Sequence, residues 1–156
     1  MTVVGAVDCG TNSMRLLVAK PGPDGRLVDL HREMRVVRLG YGVDATGMFA
    51  AESIERTRVA LSDYVDTMEA LGVERVRMVA TSATRDASNR DEFFAMTADL
   101  LGCVSTGAIA EVITGDEEAR LSFRGQSANW MRRMGRSWSP TSAAVRRKSS
   151  WAMRTV

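Results

Sequence analysis

Apolar and polar positions in this chain switch between two periods, and the switches mark the elements. An apolar run from Val3 to Val7 ends in Asp8, and a second run begins at Met14 and reaches about Ala19. Between them lies Cys9-Gly10-Thr11-Asn12-Ser13, so the opening reads as strand, tight polar turn, strand. Pro21-Gly22-Pro23-Asp24-Gly25 is a strong turn signal, and a third strand follows from about Leu27 towards Val37. These three strands predict an antiparallel meander. Arg38 to Gly47 is a glycine-punctuated loop. The period then becomes helical from Glu52 to Leu71: Ile54, Leu61, Val65 and Met68 form one stripe, with Ala60, Tyr64 and Leu71 beside it. Gly72 fits the stop.

A fourth strand is predicted over Arg75–Thr81, and helix followed by strand predicts parallel pairing in this part of the sheet. Asn89 with Glu92 has the spacing of a capping box, and Phe93, Phe94, Met96, Leu100 and Leu101 give the next helix its core face. Gly102 is read as its end, and Ala108 to Ile113 as a fifth strand. Thr114-Gly115-Asp116-Glu117-Glu118 then opens another helix, with Thr114 and Glu117 spaced as a capping box. The fold class is therefore α/β, with a mixed five-stranded sheet and helices.

Composition adds one boundary. A chain of 156 residues suffices for one domain with a real core. Cys9 and Cys103 are too few for a disulfide or metal framework. No signal peptide precedes the first strand and no apolar run is long enough for a bilayer, so a cytoplasmic location is expected. The net charge of +2 conceals a break. Residues 1–123 hold 13 Lys and Arg against all 19 Asp and Glu, a net −6, whereas residues 124–156 hold 8 basic residues and no acid. Trp130, Trp138 and Trp151 all lie in that tail. Arginine outnumbers lysine by 19 to 2, as in a GC-rich coding sequence.

Three stretches carry candidate chemistry, each with an ordinary alternative. Gly10 clears space for a bend or a close ligand, and Thr11, Asn12 and Ser13 offer hydroxyl, amide and backbone N–H donors suited to a phosphate oxyanion. The alternative is a plain hairpin. Arg85 follows the fourth strand, where ligands gather on open α/β sheets, and could fork onto a phosphate. The alternative is a salt bridge with Asp86 or a neighbouring acid. Asp116, Glu117 and Glu118 could simply complement a helix dipole.

Together these stretches resemble a known family. Asp-x-Gly-Thr-Asn-Ser-x-Arg-Leu, from Asp8 to Leu16, is similar to the first phosphate loop of the exopolyphosphatase and guanosine pentaphosphate phosphohydrolase family. That family belongs to the superfamily of sugar kinases, heat-shock chaperones and actin. Arg38-Leu39-Gly40 resembles a family segment near the cleft, and the stretch around Arg85 a segment whose arginine contacts substrate phosphate. Gly115-Asp116-Glu117-Glu118-Ala119-Arg120 resembles the start of the catalytic helix.

The resemblance implies the ribonuclease-H-like first half of an actin-like ATPase core over residues 1–123. It implies phosphate binding by Gly10, Thr11, Asn12 and Ser13, a phosphate-neutralising Arg85, and Glu118 as the residue that aligns the attacking water. Asp8 would hold Mg²⁺. The expected substrates are inorganic polyphosphate or guanosine pentaphosphate, with homodimers among intact relatives and neither membrane nor nucleic acid as partner. An alternative is a non-catalytic module that binds polyphosphate or the alarmone.

Beyond Phe123 the resemblance stops. The family continues to a second phosphate loop, Asp-x-Gly-Gly-Gly-Ser-Thr-Glu, which this chain lacks. A basic, Trp-containing tail suggests a nucleic-acid arm, but codon logic offers another reading. Back-translated with permitted codons and read two bases on, Ser139 to Lys148 encodes Thr-Asp-Val-Gly-Gly-Gly-Ser-Thr-Glu. The third bases are chosen freely in this exercise; most others are not. Residues 124–156 are therefore expected to be the product of a frameshift, in the gene or its sequencing, and to be disordered. The chain as written is expected to be a weakly active or inactive fragment.

Overall fold

A computed structural model describes residues 2–80, 82–121 and 123. The expected tail, residues 124–156, lies outside the described residues. The chain divides into two units, Met1–Glu118 and Ala119–Val156. In the second, residues 119–121 and 123 are helical.

Five strands form one sheet in the order β3-β2-β1-β4-β5. They are β1 (Val3–Cys9), β2 (Ser13–Pro21), β3 (Leu27–Val36), β4 (Val73–Ala80) and β5 (Ala110–Val112). The first three make the antiparallel meander that the pattern predicts, and β1, β4 and β5 run parallel to one another. The helices are α1 (Val43–Thr46), α2 (Ala51–Ala70), α3 (Ser82–Asp86) and α4 (Arg90–Val104).

Alternation within the strands selects the face that meets the long helices. Val7 and Cys9 of β1, Met14, Leu16 and Val18 of β2, and Met78 and Ala80 of β4 are buried in a core shared with Leu61, Tyr64 and Met68 of α2 and Phe93 and Leu101 of α4. The stripe predicted for α2 is buried as expected, except that Leu71 lies at the exposed C-cap. Gly72, at φ +68°, donates its N–H to the Glu69 carbonyl, a left-handed stop that only glycine adopts cheaply. Phe93 is fully buried beside Phe49 and Phe94, with ring centroids 5.9 Å and 5.8 Å away. Thr97, buried in α4, accepts the N–H of Ala110 at 3.3 Å and ties the helix to the start of β5.

Three local expectations are corrected. Gly102 does not end α4, which runs on to Val104; Gly107, at φ +78°, supplies the left-handed bend before β5. A glycine inside a helix costs only about 1 kcal/mol against alanine, so packing on both sides overrides it. Asn89 stands at the N-cap of α4 but its side chain makes no cap bond. It is spent on a distant backbone instead, described below. The loop from Arg38 to Gly47 contains the short helix α1, flanked by Gly42 and Gly47 at φ +80° and +67°.

Tyr64 joins helix to sheet. Its buried hydroxyl donates to the Met14 carbonyl at 3.0 Å, and the Arg35 guanidinium carbon lies 5.8 Å from its ring centroid. Burial, with the Glu33 charge adding to it, pushes this phenol from 10.0 up to about 12. The phenol stays neutral in the folded chain while the unfolded chain ionises first. Its contribution to stability is thus complete below pH 10 and is lost as pH rises towards about 12. Tyr64→Phe removes this buried hydrogen bond and is expected to cost about 0.5–1.5 kcal/mol. Chemical denaturation at pH 7 and at pH 11 checks both points: the variant should lose stability at pH 7 and show a shallower alkaline decline.

Candidate active site

The three candidate stretches start from one row of the sheet. Cys9 pairs with Met14 on one side and Ala80 on the other, and Ala80 pairs with Val112. The turn at residues 10–13, the segment after β4 and the segment after β5 therefore leave the same end of the sheet. That end is the carboxyl end of the three parallel strands, where ligands of open α/β sheets bind. Adjacent strands lie roughly 4.8 Å apart, so the outermost two of these segments begin about 10 Å from each other.

The first turn is a hairpin in form, closed by the Gly10 N–H on the Ser13 carbonyl at 3.0 Å. Its carbonyls are committed. Asn12 O accepts the N–H groups of Val37 and Arg38 at 3.0 Å and 2.9 Å, and Thr11 O accepts that of Gly40 at 2.9 Å. In a trans peptide the N–H points opposite to the C=O of the same plane. The N–H of Asn12 and of Ser13 thus face away from the 37–40 strap. Of the four residues expected to cradle phosphate, Gly10 has its N–H occupied, and Thr11 and Asn12 are exposed with Ser13 half-buried. Arg38 sits at φ +50°, a left-handed conformation that is unusual without glycine, held by the shared Asn12 acceptor.

The strap is stitched to the segment after β4. Ser88 donates its N–H and its hydroxyl to the Gly47 carbonyl at 2.8 Å and 3.0 Å. Asn89 accepts from the Phe49 N–H at 2.8 Å and donates to the Phe49 carbonyl at 3.2 Å. The residue read as a helix cap instead ties the segment after β4 to the chain just before α2. Sequence reasoning missed this because an Asn before a helix looks the same in either role.

Arg85 is half-buried in α3 and makes neither of the expected ion pairs. Its Nη1 donates to the Ile113 carbonyl at 2.5 Å, while the Ile113 N–H donates to the Ala80 carbonyl at 3.2 Å. Ile113 is therefore held at both ends immediately before the acidic segment. Among the described residues no carboxylate pairs with Arg85, so part of its guanidinium fork remains available.

The acids of the last segment separate in role. The Thr114 hydroxyl accepts the Glu117 N–H at 3.2 Å and the Thr114 carbonyl accepts the Glu118 N–H at 2.9 Å, as the capping pattern predicts. The Glu117 carboxylate lies 3.5 Å from Arg77, which also holds Glu111 at 2.8 Å. Glu118 is half-buried, and among the described residues no side chain holds its carboxylate.

Asp8 lies one residue before the end of β1, about half exposed, its Oδ2 4.0 Å from Arg15 Nη1 across the strand pair. Among the described residues no three His, Cys, Asp or Glu side chains gather into a metal site. Asp8 is a single half-exposed carboxylate next to the 10–13 turn, and Mg²⁺ in general takes few protein ligands and keeps several waters. The neighbouring Cys9 faces the core, and burial, with the Asp8 charge, pushes its thiol up to about 12. It is not a nucleophile at neutral pH.

Known proteins resemble this chain in sequence and fold. A family model described as the Ppx/GppA phosphatase family matches residues 17–136. An "Exopolyphosphatase 2" of Mycobacterium tuberculosis is 63% identical over 128 residues, which make up 80% of this chain and 40% of that protein. The crystal structure of an Aquifex aeolicus Ppx/GppA family member aligns with a TM-score of 0.65 at 34% identity, covering 76% of this chain and 37% of that one. An exopolyphosphatase from Cytophaga hutchinsonii aligns with a TM-score of 0.69 at 30% identity, covering 80% and 38%. The mixed sheet is thus the one found in these actin-like ATPase-fold proteins, of which it corresponds to a part. The chain spans about two fifths of the length of the curated relatives it matches. With a family model covering most of its residues, the chain belongs to the Ppx/GppA phosphatase family.

Proposed function

We propose that this chain contributes one wall of a phosphohydrolase site that releases the terminal phosphate of inorganic polyphosphate. The observation that carries the reading is the single sheet row from which the phosphate turn, Arg85 and Glu118 all depart. The outward N–H groups of Asn12 and Ser13 and the hydroxyls of Thr11 and Ser13 would bind the phosphoryl oxygens, with Gly10 keeping the approach clear. Arg85 would neutralise one oxygen while fixing Ile113. Glu118 would orient a water and accept its proton as the water oxygen bonds to phosphorus and the bridging P–O bond breaks. The shortened chain leaves with the electron pair of that bond. Such chemistry is mostly positioning and charge stabilisation. Mg²⁺, held through Asp8 and the substrate, would supply charge compensation. The 5′-terminal phosphate of guanosine pentaphosphate is the same kind of phosphoanhydride and is the second candidate substrate.

The described residues would form one wall, and donors on one side of a transition state leave the other side to water. The test compares the 156-residue chain with the protein read through in the shifted frame, each given long-chain polyphosphate and Mg²⁺. Phosphate release is expected from the second and little from the first. No release from the read-through protein would overturn the catalytic reading. Tight binding without release by both would favour a binding module, and salt-sensitive DNA binding lost on removing residues 124–156 a nucleic-acid arm.

A further inference from the structure

From its contacts we infer that Gly40 is a positioning residue for the phosphate turn: its missing side chain is the space in which the Thr11 methyl sits. The inference rests on the reading of residues 10–13 as a phosphate turn. A Cβ built on Gly40 runs into Thr11 Cγ2, and comes to 3.0 Å from Ala83 Cβ and 3.4 Å from Thr11 Cβ. Two of the three site-forming segments thus meet on one glycine, which also donates its N–H to the Thr11 carbonyl at 2.9 Å. Gly40 does not have a left-handed φ, so the requirement is for space rather than backbone freedom. The Thr11 methyl can turn about χ1, but Thr11 Cβ and Ala83 Cβ stay in the way. The Thr11 backbone is fixed by that hydrogen bond, and Ala83 is buried. A methyl at Gly40 must push the turn away from the strap or from α3, and the direction of the Asn12 and Ser13 N–H groups changes with it.

The contact predicts its own rescue, because Thr11→Ser deletes the obstructing Cγ2 and keeps the hydroxyl. In the full 156-residue chain, Gly40→Ala is expected to weaken binding of long-chain polyphosphate with Mg²⁺ about tenfold. It should also shift the backbone amide resonances of residues 10–13. Adding Thr11→Ser to Gly40→Ala should recover most of the binding and return the amide shifts towards their positions in Thr11→Ser alone, a coupling that a double-mutant cycle reads. Gly5→Ala serves as the control for general destabilisation. Its new methyl meets Met68 Sδ at 2.7 Å in the core, and it should lower the melting temperature while leaving polyphosphate affinity within about twofold. Unchanged amide shifts in Gly40→Ala, a double variant no better than the single one, or an equal affinity loss in Gly5→Ala would overturn the inference. Where the unaltered chain binds no polyphosphate, the amide shifts decide alone: unchanged shifts at residues 10–13 in Gly40→Ala overturn the inference, and shifts restored by Thr11→Ser support it.

Discussion

Glu118→Gln is expected to lower phosphate release by about 10²–10⁴-fold in the protein read through in the shifted frame, with polyphosphate binding retained. The amide keeps the shape of the side chain but cannot accept the water's proton. The comparison with its neighbour is what makes the test specific. The Glu117 carboxylate is engaged with Arg77 on a half-exposed surface, and such pairs contribute roughly 0–1 kcal/mol. Glu117→Gln should therefore leave turnover nearly unchanged. Steady-state kinetics with a binding titration separate the outcomes. Equal losses at both positions, or a harmless Glu118→Gln, would remove Glu118 from its role.

Arg85→Ala is expected to cost about 10²–10³-fold in kcat/KM, the size of effect seen when one fixed donor to a transition-state oxygen is removed. Under the proposed function two roles end together: the charge that Arg85 would place beside the phosphate, and the hydrogen bond that holds the Ile113 carbonyl. Lysine restores the charge but is a point donor on a flexible stem, without the planar fork that could serve a carbonyl and a phosphate at once. Arg85→Lys should thus recover only part of the loss, chiefly in KM. Full recovery by lysine would show that charge alone matters and that the tether to Ile113 is dispensable. Measuring kcat and KM separately for both variants distinguishes the two.

The strands, the long helices and their core faces were legible in the chain because local periodicity and burial coincide there. Val7, Leu16, Leu61, Met78 and Phe93 are apolar at positions where either a period of two or of 3.6 places them inward. Residue type left the candidate chemistry open, and the family resemblance selected it: hydroxyl and amide donors after an aspartate, an arginine after a strand, and a glutamate pair opening a helix. Periodicity carries no information about contacts between distant segments, and those decided the site. That Asn89 straps the Phe49 backbone rather than capping its own helix depends on a contact between residues 40 positions apart. That Arg85 turns to the Ile113 carbonyl and not to Asp86 depends on parallel pairing of β4 with β5. Gly102 and Gly107 look alike in sequence, and only the packed length of α4 says which one bends the chain. The same holds at Gly40. Locally it is one glycine in a loop, and its need for an absent side chain exists only once the Thr11 turn has closed against it. Local propensities of about 1 kcal/mol or less set the elements where nothing opposes them, and close packing between elements sets everything that brings them together.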